Sequence, residues 1–347
     1  MRNKRVFVLT TGGTIGTYVD KSGIAHVSDK GKDLLDRLKN QGVEIESKSI
    51  LQKGSADLVP SDWQKIAEAV ASVIKTTKDL DGVVIMHGTD TMHYSAAALS
   101  FMLQNLGIPI VLTGSMVSGS NPKGDAMPNL KDAILVASQS DIAEVSIVFS
   151  AVPNGTSRVI IRGCRARKMD SSALNAFVST NVPPIGFVKG GLITYSEVKH
   201  SRRAKRTLKV STDLDANVVY LKQNPGLTRK MLERFLKGAS GAVIEGTGVG
   251  HIREDLHETI SRFGKPVVVS TQAIYGGEKL GSYDLGKKML AIPNLIPAHD
   301  MNSEAALVKL MWALKQKGRG VRSTMLKDFS GEISASVPST PISRVYK

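Results

Sequence analysis

The chain has 347 residues, more than one hydrophobic core usually fills, so two domains are expected. Its composition, 41% hydrophobic and 22% charged, is that of a globular protein and excludes a disordered one. A net charge of +15 points toward nucleic acid or acidic surfaces without establishing either, and the single cysteine, Cys164, excludes an intrachain disulfide.

The amino-terminal apolar run "VFVL" is far too short for a signal peptide, and no stretch reaches the length of a membrane span. A cytoplasmic protein without membrane contact is expected. Residues 5–10 ("RVFVLT") read as a short strand that ends at the Gly-rich turn "TGGTIG". The stretch 31–42 has helical spacing with a terminal Gly, and 43–50 alternates as a strand. Helix 61–75 opens with Ser61 and Gln64 in capping-box positions, and Trp63, Ile66, Ala67, Val70 and Ile74 share one face. Strand 82–87, helix 91–106 and strand 108–114 repeat the unit, as do "DAMPNLKDAILVASQ" and "VSIVFS". Residues 146–163 read as a hairpin that turns at Asn154-Gly155. This βα alternation predicts a parallel sheet covered on both faces, with ligands at the carboxyl ends of its strands.

From 191 to 213 the periodicity lapses into a polar, basic stretch that reads as a linker. Residues 199–209 hold six Lys or Arg, a solvated surface or a tRNA contact, though no aromatics interleave them for stacking. Alternation resumes with 217–221, helix 226–237, 241–246, helix 254–262, 265–271 and helix 303–318. The expected organisation is α/β in two domains: a larger amino-terminal one, 1–190, carrying the chemistry, and a smaller one, 214–333. A flexible tail follows at 334–347.

Two hydroxyl-rich strand ends stand out. "TTGGTIG" satisfies neither the dinucleotide nor the phosphate-loop pattern. By itself it is an ordinary tight turn, or else a device that exposes the Thr11 hydroxyl. "HGTDTMHYSAA" places Thr89-Asp90-Thr91 where a strand becomes a helix, either as an N-cap or as a hydroxyl paired with a carboxylate. A threonine nucleophile needs a base. A lysine held by Asp90 would serve, and "CRARKMD" beyond the hairpin supplies Lys168. No His-Glu-x-x-His spacing and no G-x-S-x-G elbow occurs.

The trio "TGGTI", "HGTDTM" and "RARKMD", in this order and followed by "EGTGVGH" and "LIPAHDMNSEAALVKLMWAL", resembles the L-asparaginase family of threonine-dependent amidohydrolases from residue 5 to about 333. The resemblance implies Thr11 as primary nucleophile and a second triad of Thr89, Lys168 as base and Asp90 as orienter. It implies an oxyanion hole of backbone N–H groups around Thr89, with Gly88 lining the substrate site. The reaction would turn a side-chain amide, most simply L-asparagine, into a carboxylate and ammonia, with no metal or organic cofactor. Homodimers or homotetramers would bring His251 and Glu278 of one subunit to the neighbour's substrate.

Three departures follow. "SGIAHVSDKG" lacks the loop tyrosine of many members, so Tyr18 is the nearest substitute. The substrate-gripping Ser-Gln or Ser-Thr pair reads Ser55-Ala56, and His251 stands where bacterial members often place Asn. "HGTDTMHYSAAALSFML", "GIAH" and "EGTGVGHI" are closer to the glutaminase subunit of archaeal Glu-tRNA(Gln) amidotransferase, which works with a partner subunit and tRNA. That subunit usually carries an extra amino-terminal domain, so with motifs starting at residue 5 a free-standing asparaginase is the leading expectation.

Overall fold

The computed structural model describes residues 2–13, 17–19, 25–27, 31–38, 42–121 and 123–334, of which 17–19, 25–27 and 31–33 are described by backbone alone. The described chain divides into two compact units, one of residues 2–179 and 183–212, the other of 180–182 and 213–334. The expected tail beyond 334 lies outside the described residues.

In chain order the first unit contains β1 (Lys4–Thr10), β2 (Thr17–Val19), β3 (Ala25–Val27), α1 (Gly31–Asp36), β4 (Val43–Ser49), α2 (Pro60–Thr76), β5 (Gly82–Met86), α3 (Met92–Met102), β6 (Leu103–Gln104) and β7 (Ile110–Thr113). It continues with α4 (Ala126–Gln139), β8 (Val145–Ser150), β9 (Arg158–Arg162), β10 (Ala166–Lys168), β11 (Phe177–Ser179), β12 (Gly186–Lys189), β13 (Leu192–Tyr195) and β14 (Lys209–Val210). Eight strands form one sheet in the order β13-β12-β9-β8-β7-β5-β1-β4. The five from β4 to β8 are parallel, as βα alternation requires, because each crossover helix returns the chain to the same edge. The sheet does not stay parallel: β9, β12 and β13 extend it in antiparallel fashion. The β8–β9 hairpin turns through Gly155 at φ 64°, as the Asn-Gly pair predicts.

Val6 and Val8 of β1, Val84 and Met86 of β5 and Val111 of β7 pack with Leu130, Ala133, Ile134 and Ala137 of α4 into one core, all buried. Burying both faces explains why these strands read as apolar runs rather than alternating ones.

Three local readings change. α2 is capped not by Ser61 and Gln64 but two residues earlier: Val59 is the N-cap, Pro60 opens the helix, and the Asp62 carboxylate accepts from the Val59 N–H at 3.1 Å. α3 stops at Met102, where β6 pairs with β14 and Asn105 takes a left-handed φ of 59°. The 191–213 stretch is docked rather than free. β13 lies within it, and the Arg203 guanidinium donates to the carbonyls of Ala137, Ser140 and Asp81. His200 donates from Nε2 to the Asp141 carboxylate at 2.9 Å, which also draws Arg202. The basic run is thus partly spent on carbonyls at the end of α4.

The second unit contains β15 (Val218–Lys222), α5 (Arg229–Leu236), β16 (Gly241–Gly246), α6 (His257–Phe263), β17 (Val267–Thr271), α7 (Asp284–Leu290), β18 (Leu295–Pro297), α8 (Ser303–Ala313) and α9 (Val321–Leu326). Its four strands are all parallel and in sequence order. α8 is buried along its whole length and ends five residues before the expected Gly318. Lys309 in its midst reaches Glu332 at 2.6 Å and the carbonyls of Met325 and Lys327, which ties the last described turn to the helix. No helix among the described residues is long and apolar enough to cross a membrane.

Candidate active site

β1 and β5 are neighbours in register, Thr10 beside Met86, so the turns that follow them emerge side by side at the carboxyl edge. The glycines let them touch. A Cβ on Gly13, which has φ 82°, would lie 2.4 Å from Gly88 Cα, and one on Gly88 would lie 2.7 Å from Ser55 Oγ. Thr11 and Thr89 are thereby held at one edge, and both are buried, at 1% and 5% exposure.

Asp90 opens the approach to α3 but does not cap it. Its N–H donates to Ser55 Oγ at 3.1 Å, and its carboxylate turns away to Lys168. The next residue, Thr91, is the N-cap, and its hydroxyl donates to the Ser55 carbonyl at 2.6 Å.

Lys168 comes from a distant segment. β9 ends in a 3-10 turn, Gly163–Arg165, and β10 then pairs with β11, Lys168 opposite Phe177. The Phe177 ring is anchored edge-on against Phe149, with centroids 4.9 Å apart, which fixes the strand. Lys168 Nζ then lies 3.0 Å from Thr89 Oγ1 and 2.8 Å from Asp90 Oδ1. A hydroxyl, an amine and a carboxylate in line form a relay: the amine can take the hydroxyl proton while the carboxylate holds the resulting charge. The Thr11 hydroxyl donates to the Met86 carbonyl at 3.1 Å, beside this cluster rather than within it.

Behind the edge lie two buried imidazoles. His87 donates from Nδ1 to the Gly88 carbonyl at 2.6 Å, and its Nε2 has no partner among the described residues. Burial lowers its pKa to about 4. Burial lowers His93 to about 3, helped by the positive charges of Arg167 and Lys168. Both are neutral at pH 7, so they add no charge to the relay. Among the described residues no group of three His, Cys, Asp or Glu could hold a metal.

Of the residues singled out from the sequence, Thr89, Asp90, Lys168, Ser55 and Gly88 come together, with Thr11 on the adjoining strand end. Ala56 follows Ser55 in a 3-10 turn and is exposed. Tyr18 belongs to β2, and its side chain lies outside the described residues. His251 and Glu278 belong to the second unit. The His251 ring meets Tyr283 edge-on at 5.2 Å, its Nε2 buried and unpartnered among the described residues. Burial pushes the Glu278 carboxyl up, and His299, at a left-handed φ of 56°, lies 3.6 Å away. The sequence reading missed Asp62 and Lys53, joined at 2.8 Å beneath Ser55, and Asp125, whose carboxylate holds the Met116 and Val117 N–H groups. An acidic residue in the first turn of an apolar helix, as Asp62 is, was the available signal.

The arrangement is a hydroxyl–amine–carboxylate relay at the carboxyl ends of the parallel strands of the large sheet. The family model "Asparaginase, N-terminal" matches residues 5–200, and "Glutaminase/Asparaginase C-terminal domain" matches 217–322. An L-asparaginase from Thermococcus kodakarensis is 37% identical, covering 96% of this chain and 100% of the relative. A glutamyl-tRNA(Gln) amidotransferase subunit from Methanosphaera stadtmanae is 36% identical, over 91% of this chain and 73% of the relative. The solved structure of the thermostable L-asparaginase from Thermococcus kodakarensis superimposes with a TM-score of 0.86 over 96% of this chain and 100% of that one, at 36% identity. The chain belongs to the asparaginase/glutaminase family and is an amidohydrolase.

Proposed function

We propose that the chain hydrolyses free L-asparagine to L-aspartate and ammonia through a threonine ester. The observation that carries this reading is Lys168 Nζ at 3.0 Å from Thr89 Oγ1 and 2.8 Å from Asp90 Oδ1. Thr11 attacks the amide carbon, exchanging its bond to the Met86 carbonyl for attack. The displaced proton passes to the leaving nitrogen, the C–N bond breaks, and ammonia departs. Water, activated at Thr89 by Lys168, then cleaves the ester. Backbone N–H groups around Thr89 stabilise the oxyanion. Asp90, 63% exposed at its side chain, offers a carboxylate to the substrate ammonium, and Ser55 grips the α-carboxylate. Tyr18 of β2 serves as the partner of Thr11. The chain works in the cytoplasm as a homodimer or homotetramer in which His251 and Glu278 complete a neighbour's site.

A second reading has its own support in the amidotransferase relative, as similar as the asparaginase: ammonia from glutamine is handed to a partner subunit that acts on tRNA. Ammonia release from L-asparagine and L-glutamine by the purified chain alone separates the two. Turnover of asparagine without partner or tRNA supports the first. Activity that appears only with both supports the second.

A further inference from the structure

We infer that the Lys53–Asp62 pair is a positioning device that sets Ser55 for the substrate's α-carboxylate, an inference that rests on the amidase reading above. Residues 50–55 leave β4 and run across both strand ends. Ile50 N donates to the Thr10 carbonyl at 2.9 Å and Lys53 N to the Thr11 carbonyl at 3.0 Å. Two residues on, Ser55 Oγ accepts from Asp90 N at 3.1 Å and the Ser55 carbonyl accepts from Thr91 Oγ1 at 2.6 Å. One short segment therefore touches both halves of the site. With its oxygen accepting from Asp90, the Ser55 hydroxyl has its own proton left to give, and no acceptor for it exists among the described residues.

The segment is fastened from outside by Lys53. Its Nζ meets Asp62 Oδ2 at 2.8 Å, and Asp62, at 0% exposure, also accepts from Val59 N and draws Lys65 Nζ to 3.4 Å. A buried carboxylate persists only where its charge is met. Burial by itself raises the Asp62 carboxyl, but the bonds from Lys53 and Val59 prevail and hold it below the ordinary range. Lys53 is 40% exposed, so solvent screens the pair and its worth is geometric more than energetic. The start of α2, the 53–55 segment and the site edge form one linked unit. Lys53 and Asp62 touch no reacting atom in this scheme; they act through Ser55.

The test uses the full chain as wild type, Lys53→Met, Lys53→Arg and the double variant Lys53→Met/Asp62→Asn. Steady-state kinetics are compared on L-asparagine and on 3-aminopropanamide, which keeps the amide and ammonium but lacks the carboxylate. Lys53→Met should raise KM for asparagine about tenfold, the size of one hydrogen bond to a charged group. Its kcat should stay within about threefold and its kcat/KM for 3-aminopropanamide should hardly change. Lys53→Arg should restore KM. The double variant, which removes the buried charge with its partner, should fold and show the same rise. An unchanged asparagine KM in folded Lys53→Met, equal losses on both amides, or failure of Arg to rescue overturns the inference alone. A folded wild type inert on every amide overturns the amidase reading and this inference with it.

Discussion

Two sheets in this molecule, the large one mixed and the small one parallel, present loops at the carboxyl ends of their parallel strands, yet the edges differ in chemistry. At the edge of the large sheet, polar groups are joined to one another: Lys168 to Thr89 and Asp90, Ser55 to Asp90 and Thr91. At the edge of the small sheet His251, Glu278 and His299 form no such relay among the described residues. His251 Nε2 has no partner among the described residues, burial pushes the Glu278 carboxyl up, and burial lowers the His299 imidazole. The contrast lies in whether a distant segment delivers a counter-group to the edge. The β10–β11 pair does so for the large sheet. In the second unit the fully buried ion pair Lys309–Glu332 lies inside the fold instead and fastens it.

The most severe way to break this contrast is Thr89→Val. Removal of one relay member should lower kcat by roughly 10²–10⁴-fold at an unchanged Tm. Thr11→Ala should match it, and the double variant should be barely worse, since members of one mechanism are not additive. Additive losses in steady-state assays would show that the two threonines act separately.

The counterpart in the second unit should be a loss of stability instead. Glu332→Gln leaves a fully buried ammonium without its counter-charge, at a cost of about 3–5 kcal/mol in urea unfolding. Activity measured well below Tm should stay near wild type. A kcat loss without destabilisation would erase the distinction between the two regions.

How far these features were legible depends on how local their causes are. The Asn154-Gly155 turn, the apolar strands and the Thr-Asp-Thr junction declare themselves in a few residues. β13 does not, because it is an edge strand whose Leu192 and Tyr195 face solvent and whose side chains follow no apolar alternation. Arg203 reads as a solvated charge, but its partners are carbonyls more than sixty residues away in sequence. The Lys168 contact became legible through the resemblance of three motifs, since spacing alone cannot bring residues 89 and 168 together. Lys53 and Asp62 escaped for the opposite reason: each looks like an ordinary surface charge until the burial of Asp62 is seen.

A pH series sharpens the comparison from another side. His87 is neutral in both states at pH 7. Below its ordinary value near 6.5, the unfolded chain takes up a proton that the folded chain refuses until about pH 4. The unfolded state then binds more protons, so stability falls with falling pH, by about 1.4 kcal/mol per unit across that window. His93 acts in the same direction, down to about 3. Urea midpoints from pH 7 to 4.5 should show the combined slope of the two histidines, and His87→Asn, which can keep the donor to the Gly88 carbonyl, should remove about half of it. An equal slope in the variant would assign the acid sensitivity elsewhere.

The smallest expected effect concerns substrate grip. Ala56 is exposed next to Ser55 and offers the substrate no side-chain polar group. Ala56→Gln should lower KM for L-asparagine by about tenfold with kcat unchanged, as added uniform binding does. A higher KM would show that position 56 only shapes the cavity.

We propose that the edge of the large sheet performs hydrolysis through Lys168. Its most direct test is the turnover of L-asparagine by Lys168→Met, measured as ammonia released by the purified full chain, with Tm recorded alongside. The expected result is an active wild type and a variant slower by roughly 10²–10⁴-fold with the same Tm. A folded Lys168→Met that releases ammonia at the wild-type rate would contradict it.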